Sequence, residues 1–158
     1  MLTLESPAFE NGAHIPTRYT CDDADVSPPL RWSGVPAGTE SLALIVEDPD
    51  APDPAAPKRI WLHWLVYNIP PALTALPDSA SVAHLQPPVR EGMNDGGRLG
   101  YSGACPPKGR HRYFHRLYAL DTMLPDLGAR ARKGDLERAM AGHVLAQAEL
   151  VGTYAKHR

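Results

Sequence analysis

The chain has 158 residues, the size of one ordinary domain, and such a domain buries roughly 70% of the surface its unfolded form exposes, so it needs no disulfide or metal to fold. Its 16 Lys and Arg stand against 18 Asp and Glu, a formal charge of −2, which excludes a nonspecific grip on nucleic acid, because that works by neutralising many phosphates. Any anion it binds is therefore expected to be small and locally held. The start, Met1-Leu-Thr-Leu-Glu-Ser-Pro7, lacks the basic and long apolar character of a secretory signal, and nowhere do 18 uncharged apolar residues run together. A cytoplasmic protein with no stable membrane insertion is the expectation. Cys21 and Cys105 are too few for a disulfide framework and show no CxxC spacing, so both are expected as free thiols, Cys105 being an oxidisable one in its loop.

Proline is over-used, 17 residues in the chain, about twice its usual share of roughly 5%. The prolines are dispersed, with pairs at Pro28-Pro29, Pro70-Pro71, Pro87-Pro88 and Pro106-Pro107. This suits many short strands joined by stiff loops and does not suit a helical bundle. Ser41 to Glu47 and Ile60 to Ile69 are continuous apolar runs of strand length, predicting central, buried strands. Between Pro71 and Gly97 a short strand is expected, since so long a structureless loop is uncommon.

The stretch Arg90 to His111 is crowded with Gly and Pro, residues that set unusual dihedrals, and delivers His111 to a strand. Arg112 to Leu120 then alternates, with Phe114, Tyr118 and Leu120 on one face and Tyr113, His115, Leu117 and Ala119 on the other. Arg116 is expected near an edge or paired with an acid. After Gly134, Asp135 is read as the cap of a helix whose apolar side is Leu136, Ala139, Met140, His143 and Val144, ending near Ala148. Glu149 to Tyr154 returns to period two, with Leu150, Gly152 and Tyr154 facing together. The basic cluster Arg130, Arg132, Lys133 before the helix reads as a solvated turn. The whole predicts one mainly β domain, a sandwich with one late α-helix.

Chemistry centres on Asp48, His63 and His111. Asp48 sits in Asp48-Pro49-Asp50-Ala51-Pro52 after an apolar run, where a turn-forming role is the simpler alternative. His63 lies among Trp61, Leu62, Trp64 and Leu65, where a satisfied core histidine is the simpler alternative. In the functional reading both histidines face a cavity and donate N–H bonds to a phosphate or carboxylate oxygen. Asp48 then orients a histidine or takes a ligand amine, and glycine backbone N–H groups point at the same anion. Two His and one Asp also match a ligand set for iron or zinc, with no HExxH or His-x-His spacing to support it. Ser102 in Gly100-Tyr-Ser-Gly-Ala104 only approximates the G-x-S-x-G elbow of a hydrolase, and no helix follows.

Taken in order, D-P-D-A-P at 48 to 52, W-L-H-W-L-V-Y-N-I-P at 61 to 70 and G-Y-S-G-A-C-P-P-K-G-R-H-R-Y at 100 to 113 resemble the phosphatidylethanolamine-binding protein family, in its bacterial Raf-kinase-inhibitor-like branch. Thr20-Cys-Asp22, Ser27-Pro-Pro-Leu-Arg-Trp32, Ser33-Gly-Val-Pro36 and the G-H-V-L-A at 142 to 146 fit as well, so the match spans nearly the whole chain. The resemblance implies a Greek-key β-sandwich with a small anion pocket lined by Asp48, Ala51, Pro52, Trp61, His63, Gly103, Pro106, Pro107, His111 and Tyr113. It also implies a cis peptide before Pro52. The implied function is non-enzymatic binding of phosphate, a phosphoethanolamine-like headgroup or an acetate-like ion, with no cofactor and no catalytic residue. Two other roles stay open: a protein-interaction module that inhibits a kinase or serine protease through the loops Ala51 to Arg59 and Pro87 to Gly109, and a metal-dependent enzyme on the Asp/His set. The bacterial resemblance is compatible with a homodimer.

Overall fold

A computed structural model describes residues 1–81 and 85–156. The strands are β1 (Thr3–Glu5), β2 (Leu30–Ser33), β3 (Ser41–Ala51), β4 (Arg59–Ile69), β5 (Ala75–Leu76), β6 (Arg90–Glu91), β7 (Arg110–Leu120) and β8 (Val144–Ala155), with one helix, α1 (Lys133–Met140), before the last. They form a three-stranded sheet in the order β1-β2-β5 and a five-stranded sheet in the order β6-β4-β3-β7-β8. All strand pairings within both sheets are antiparallel. This is the mainly β, two-sheet architecture with one late helix that the patterning predicts. No described helix is long and apolar enough to cross a membrane.

Strand β3 reads as a continuous apolar run because the large sheet is covered on both faces. Leu42, Leu44 and Val46 join Leu4, Leu30, Trp32 and Leu76 of the small sheet in the core between the sheets. Ala43 and Ile45, one residue out of phase, turn the other way into a second cluster closed by Leu124, Leu136 and Met140. Period two thus survives inside the run, hidden because both faces are dry. On β7 the faces divide as expected: Tyr113 and Leu117 join the inter-sheet core, while Arg116 is held by Glu47 and Glu149. Arg116 is not at an edge, since β7 lies between β3 and β8.

The C-terminal third needs correction. Asp135 is the third residue of α1, and its carboxylate accepts the backbone N–H of Arg132, the residue at the N-cap position. The helix stops at Met140, eight residues earlier than the periodicity suggests, because Gly142 has a φ of +81°, a left-handed conformation that ends helices readily. His143 and Val144 are therefore not helical, and the last strand begins at Val144 instead of Glu149. Leu150, Gly152 and Tyr154 do share the buried face. A Cβ on Gly152 would come within 2.5 Å of Ile15, so only glycine lets the N-terminal segment lie across β8. The basic turn before α1 is not simply solvated. Lys133 reaches the buried Glu47 at 2.5 Å and Arg132 lies 3.6 Å from Asp95.

His115 is fully buried in this core, its Nδ1 3.1 Å from the Tyr113 carbonyl and 3.2 Å from that of Leu150. Burial pushes its imidazole down to about 4. A histidine held neutral in the fold withdraws stability as pH falls below about 6.5, the loss being complete near the folded value. Urea unfolding followed from pH 7 to pH 4 is expected to show about 3 kcal/mol less acid destabilisation in His115→Gln than in the parent. Parallel pH profiles for the two proteins would reject the assignment.

Candidate functional site

Three long strands bring their ends together at one rim of the large sheet. Near this rim β3 and β4 lose their simple register: Val46 pairs with Trp64 and the next residue, Glu47, with Leu62. His63 is the extra residue, and such a bulge re-aims a side chain. His63 and Trp64 consequently fall on the same side of β4, while Leu62 and Leu65 face the helix cluster. Opposite them β3 runs out through Asp48 to a cis peptide between Ala51 and Pro52, as expected; a second cis peptide precedes Pro88.

A cavity of about 310 Å³ opens at this rim. All ten residues inferred for the pocket, Asp48, Ala51, Pro52, Trp61, His63, Gly103, Pro106, Pro107, His111 and Tyr113, line it together. Arg59, Ser102 and Cys105 line it too and were not anticipated. The volume lies at the small end of ligand sites and suits a headgroup-sized molecule.

Asp48 and His111 form the buried floor, with relative exposures of 3% and 0%. His111 Nδ1 is 2.6 Å from Asp48 Oδ2, and its Nε2 is 2.8 Å from the Lys108 carbonyl oxygen. A carbonyl can only accept and so can an ionised carboxylate, so both bonds are made at once when the ring carries two protons. Asp48 Oδ1 also takes the Asp50 N–H at 2.7 Å. His111 thus has no nitrogen left to donate to a ligand, which corrects the sequence expectation for it. Asp50 is bound by Arg112, whose guanidinium holds its carboxyl below the usual range.

His63 differs. Its Nδ1 lies 2.7 Å from the Ser102 carbonyl oxygen and must carry the proton. Burial pushes the imidazole below its ordinary value, opposed by the Ser102 bond and the Asp48 charge. The ring is then neutral at pH 7, and Nε2 offers a lone pair. Tyr113 stands edge-on to it, ring centroids 5.2 Å apart, and lies nearly parallel to His111 at 6.4 Å. Burial raises the Tyr113 hydroxyl well above its usual range, so it remains an O–H donor. At the mouth Arg59 places its guanidinium 6.0 Å from the Trp61 ring centre.

The loop from Tyr101 to Gly109 forms the opposite wall and is fastened from behind. Gly103 gives its N–H to Asp25 at 2.8 Å, so it does not point that N–H at an anion as expected from sequence. A Cβ there would stand 2.4 Å from the Tyr19 carbonyl, a close approach that only glycine permits. Tyr101 donates its hydroxyl to the same carbonyl at 2.7 Å. Cys105 is bonded to Cys21 with Cα atoms 5.4 Å apart, and no free cysteine remains. The free-thiol expectation is overturned: nothing in the spacing of two cysteines 84 residues apart announced that the fold would join them. Such bonds persist in oxidising surroundings and are rare in a reducing cytosol.

The Ser102 hydroxyl lies 3.3 Å from Arg98 and His63 meets the Ser102 carbonyl, so no serine–histidine pair forms. Among the described residues no group of three or more His, Cys, Asp or Glu is placed to share a metal ion. Asp48 and His111 are already bonded to one another.

Residues 5–155 match the family model described as phosphatidylethanolamine-binding protein. The chain belongs to this family. Within the family it is 50% identical over 156 residues to the UPF0098 protein of Methanothermobacter thermautotrophicus, covering 98% of this chain and 99% of the relative. A Chlamydia trachomatis PEBP homologue, CT736, matches with a TM-score of 0.88 and 42% identity over 99% of this chain and 98% of its own. Escherichia coli YbcL, a member of the mammalian PEBP family by its published description, matches with a TM-score of 0.89 and 33% identity over 99% of each.

The disulfide makes a stability test. Closing so long a loop restricts the unfolded chain, a contribution of about 4 kcal/mol. Cys21→Ser/Cys105→Ser is expected to unfold at lower urea than the oxidised parent. Reductant should bring the parent to the variant's midpoint and leave the variant unmoved. A parent indifferent to reductant would show that the bond is absent or without effect.

Proposed function

We propose that this protein is a non-enzymatic binding module for a small phosphorylated or carboxylated ligand. The observation that carries this reading is His63: a buried imidazole lining a headgroup-sized cavity, its Nδ1 fixed by Ser102 and its Nε2 uncommitted. Arg59 at the mouth adds the fixed positive charge that an anion needs. The Tyr113 hydroxyl adds an O–H donor. Both Asp48 oxygens are already engaged, by His111 and by the Asp50 N–H, so neither is free to bond the ligand.

In this mechanism His63 works by taking up a proton. The free ring is neutral, so Nε2 is an acceptor. A dianion entering the cavity favours the imidazolium and turns Nε2 into a donor aimed at an anionic oxygen. His111 acts at one remove: its bonds to Asp48 and the Lys108 carbonyl hold the floor and the end of the loop in place. Pro52, Pro106 and Pro107 supply walls whose shape costs little to keep, since their φ angles are fixed before binding. Inhibition of an enzyme has less support. A carboxypeptidase Y inhibitor in complex with its proteinase shares the fold at a TM-score of 0.58 and 17% identity. Here the loops Ala51 to Arg59 and Pro87 to Gly109 supply walls of the pocket itself.

Calorimetric titration with inorganic phosphate and phosphoethanolamine tests the reading. The parent is expected to bind, and His63→Ala to lose at least tenfold in affinity while still unfolding cooperatively. Sulfate, which does not titrate near neutrality, isolates the protein's proton. Binding linked to protonation of His63 weakens as pH rises, by at most tenfold per unit, and levels off below the free-state value. A folded parent that binds none of the three ions would end this proposal, and a flat sulfate profile from pH 5 to 8 would end the proton-uptake mechanism.

A further inference from the structure

The described Lys and Arg side chains are not treated alike by the fold. Nine of them hold an ion pair with Asp or Glu. Among the described residues six have no ion pair: Lys58, Arg59, Lys108, Arg110, Arg130 and Lys156. All but Arg130 lie at the pocket end of the large sheet. The register places them there: Ala51 pairs with Arg59, Arg110 pairs with Ala155, and the Lys58 N–H reaches the Ala51 carbonyl. The acids of this end are occupied, Asp48 by His111, Asp50 by Arg112 and Asp53 by the Ala55 N–H. A chain of formal charge −2 therefore concentrates unneutralised positive charge around one opening.

Beside that opening lies a second recess of about 280 Å³, lined by Pro106, Pro107, Gly109, Arg110, Ala155 and Lys156. It shares Pro106 and Pro107 with the main cavity, so the two are separated by a ridge two residues wide, about 7 Å of chain. Arg110 is steadied by bonds from Nη1 to His14 Nδ1 at 3.0 Å and to Thr153 Oγ1 at 3.3 Å, which leaves its remaining N–H groups for a ligand. Lys156 adds an exposed ammonium to the lining.

We propose that this recess is a second anion subsite, and that the ligand class is a small molecule carrying a phosphoryl group and a second anionic group a few bonds away. The first group enters the His63 cavity; the second crosses the Pro106-Pro107 ridge to Arg110 and Lys156. This rests on the anion-binding reading of the main cavity. It differs from a generally basic surface in requiring two anions on one molecule at a set separation. The chelate gain comes from holding the second group at high local concentration once the first is bound.

Butane-1,4-diol bisphosphate and butyl monophosphate, titrated calorimetrically at 50 mM and 500 mM salt, provide the test. The parent is expected to bind the bisphosphate at least tenfold more tightly at low salt, with the advantage shrinking at high salt. Arg110→Gln/Lys156→Gln should reduce the bisphosphate to the monophosphate's affinity and leave the monophosphate within twofold of the parent. Lys156→Gln alone, at an exposed side chain with no bond to lose, should remove part of the advantage. Equal affinities of the two ligands for the parent, or an advantage kept by the double variant, would overturn the subsite while leaving the main pocket standing. Binding of phosphatidylserine vesicles that the double variant loses, with no bisphosphate advantage, would assign the charge to a membrane surface and overturn it too. Failure of the monophosphate to bind the parent would instead remove the underlying reading, and the subsite with it.

Discussion

Strand β3 is covered on both faces, and that constraint organises the rest of the molecule. With the small sheet on one side and α1 on the other, no side chain from Leu42 to Asp48 meets bulk water, so each acid near its end must find a partner inside the protein. Glu47, pointing to the helix side, is met by Arg116 from β7 and Lys133 from α1. Asp48, pointing the other way, is met by His111. Asp50, where the strand emerges, is met by Arg112. Neighbouring carboxylates thus tie β3 to β7 and to the helix, and the sheet's end is held by charge-assisted hydrogen bonds as well as by apolar packing.

The pocket follows from the same arrangement. A strand buried on both sides cannot end in an open turn without exposing its polar groups, and here the groups are closed off by the loop that precedes β7. That loop returns its Lys108 carbonyl to His111 and is fastened to the Thr17–Asp25 region by Tyr101, Gly103 and the Cys21–Cys105 bond. What is left between the two walls is a small, rigid space. Rigidity matters for a site of this size, because a ligand with few atoms cannot offset much ordering of the protein around it.

Electrostatics then separates floor from rim. On the floor Asp48 and His111 bond to one another, while among the described residues His63 Nε2 and the Tyr113 hydroxyl are left uncommitted. At the rim Lys58, Arg59, Lys108, Arg110 and Lys156 form no ion pair among the described residues. In the proposed function an approaching anion meets a positive field first and a proton-accepting histidine second, an order that favours dianions over neutral polar molecules.

Much of this was legible in the chain. The continuous apolar runs, the alternation in β7 and the dispersed prolines announce a two-sheet β domain, because burial and dihedral preference are local properties of side chains. The ten pocket residues were legible through the ordered resemblance of three motifs, and Arg59 could have been added by its period-two relation to Trp61 and His63. Other features depend on contacts between distant residues. The pairing of Cys21 with Cys105, the capture of Lys133 by Glu47 and the double engagement of His111 each join residues that periodicity treats as independent. The bulge at His63 is set by register against β3, which no single strand encodes. The end of α1 was misread for a related reason: apolar residues at Val144 and Ala148 continue a helical period on paper, while Gly142 and the waiting edge of β7 draw them into a strand. Sequence determined which residues are apolar, which are rigid and which can carry charge; tertiary structure alone decided which charges cancel and which remain for a ligand, since that depends on distances the chain acquires only when its ends meet.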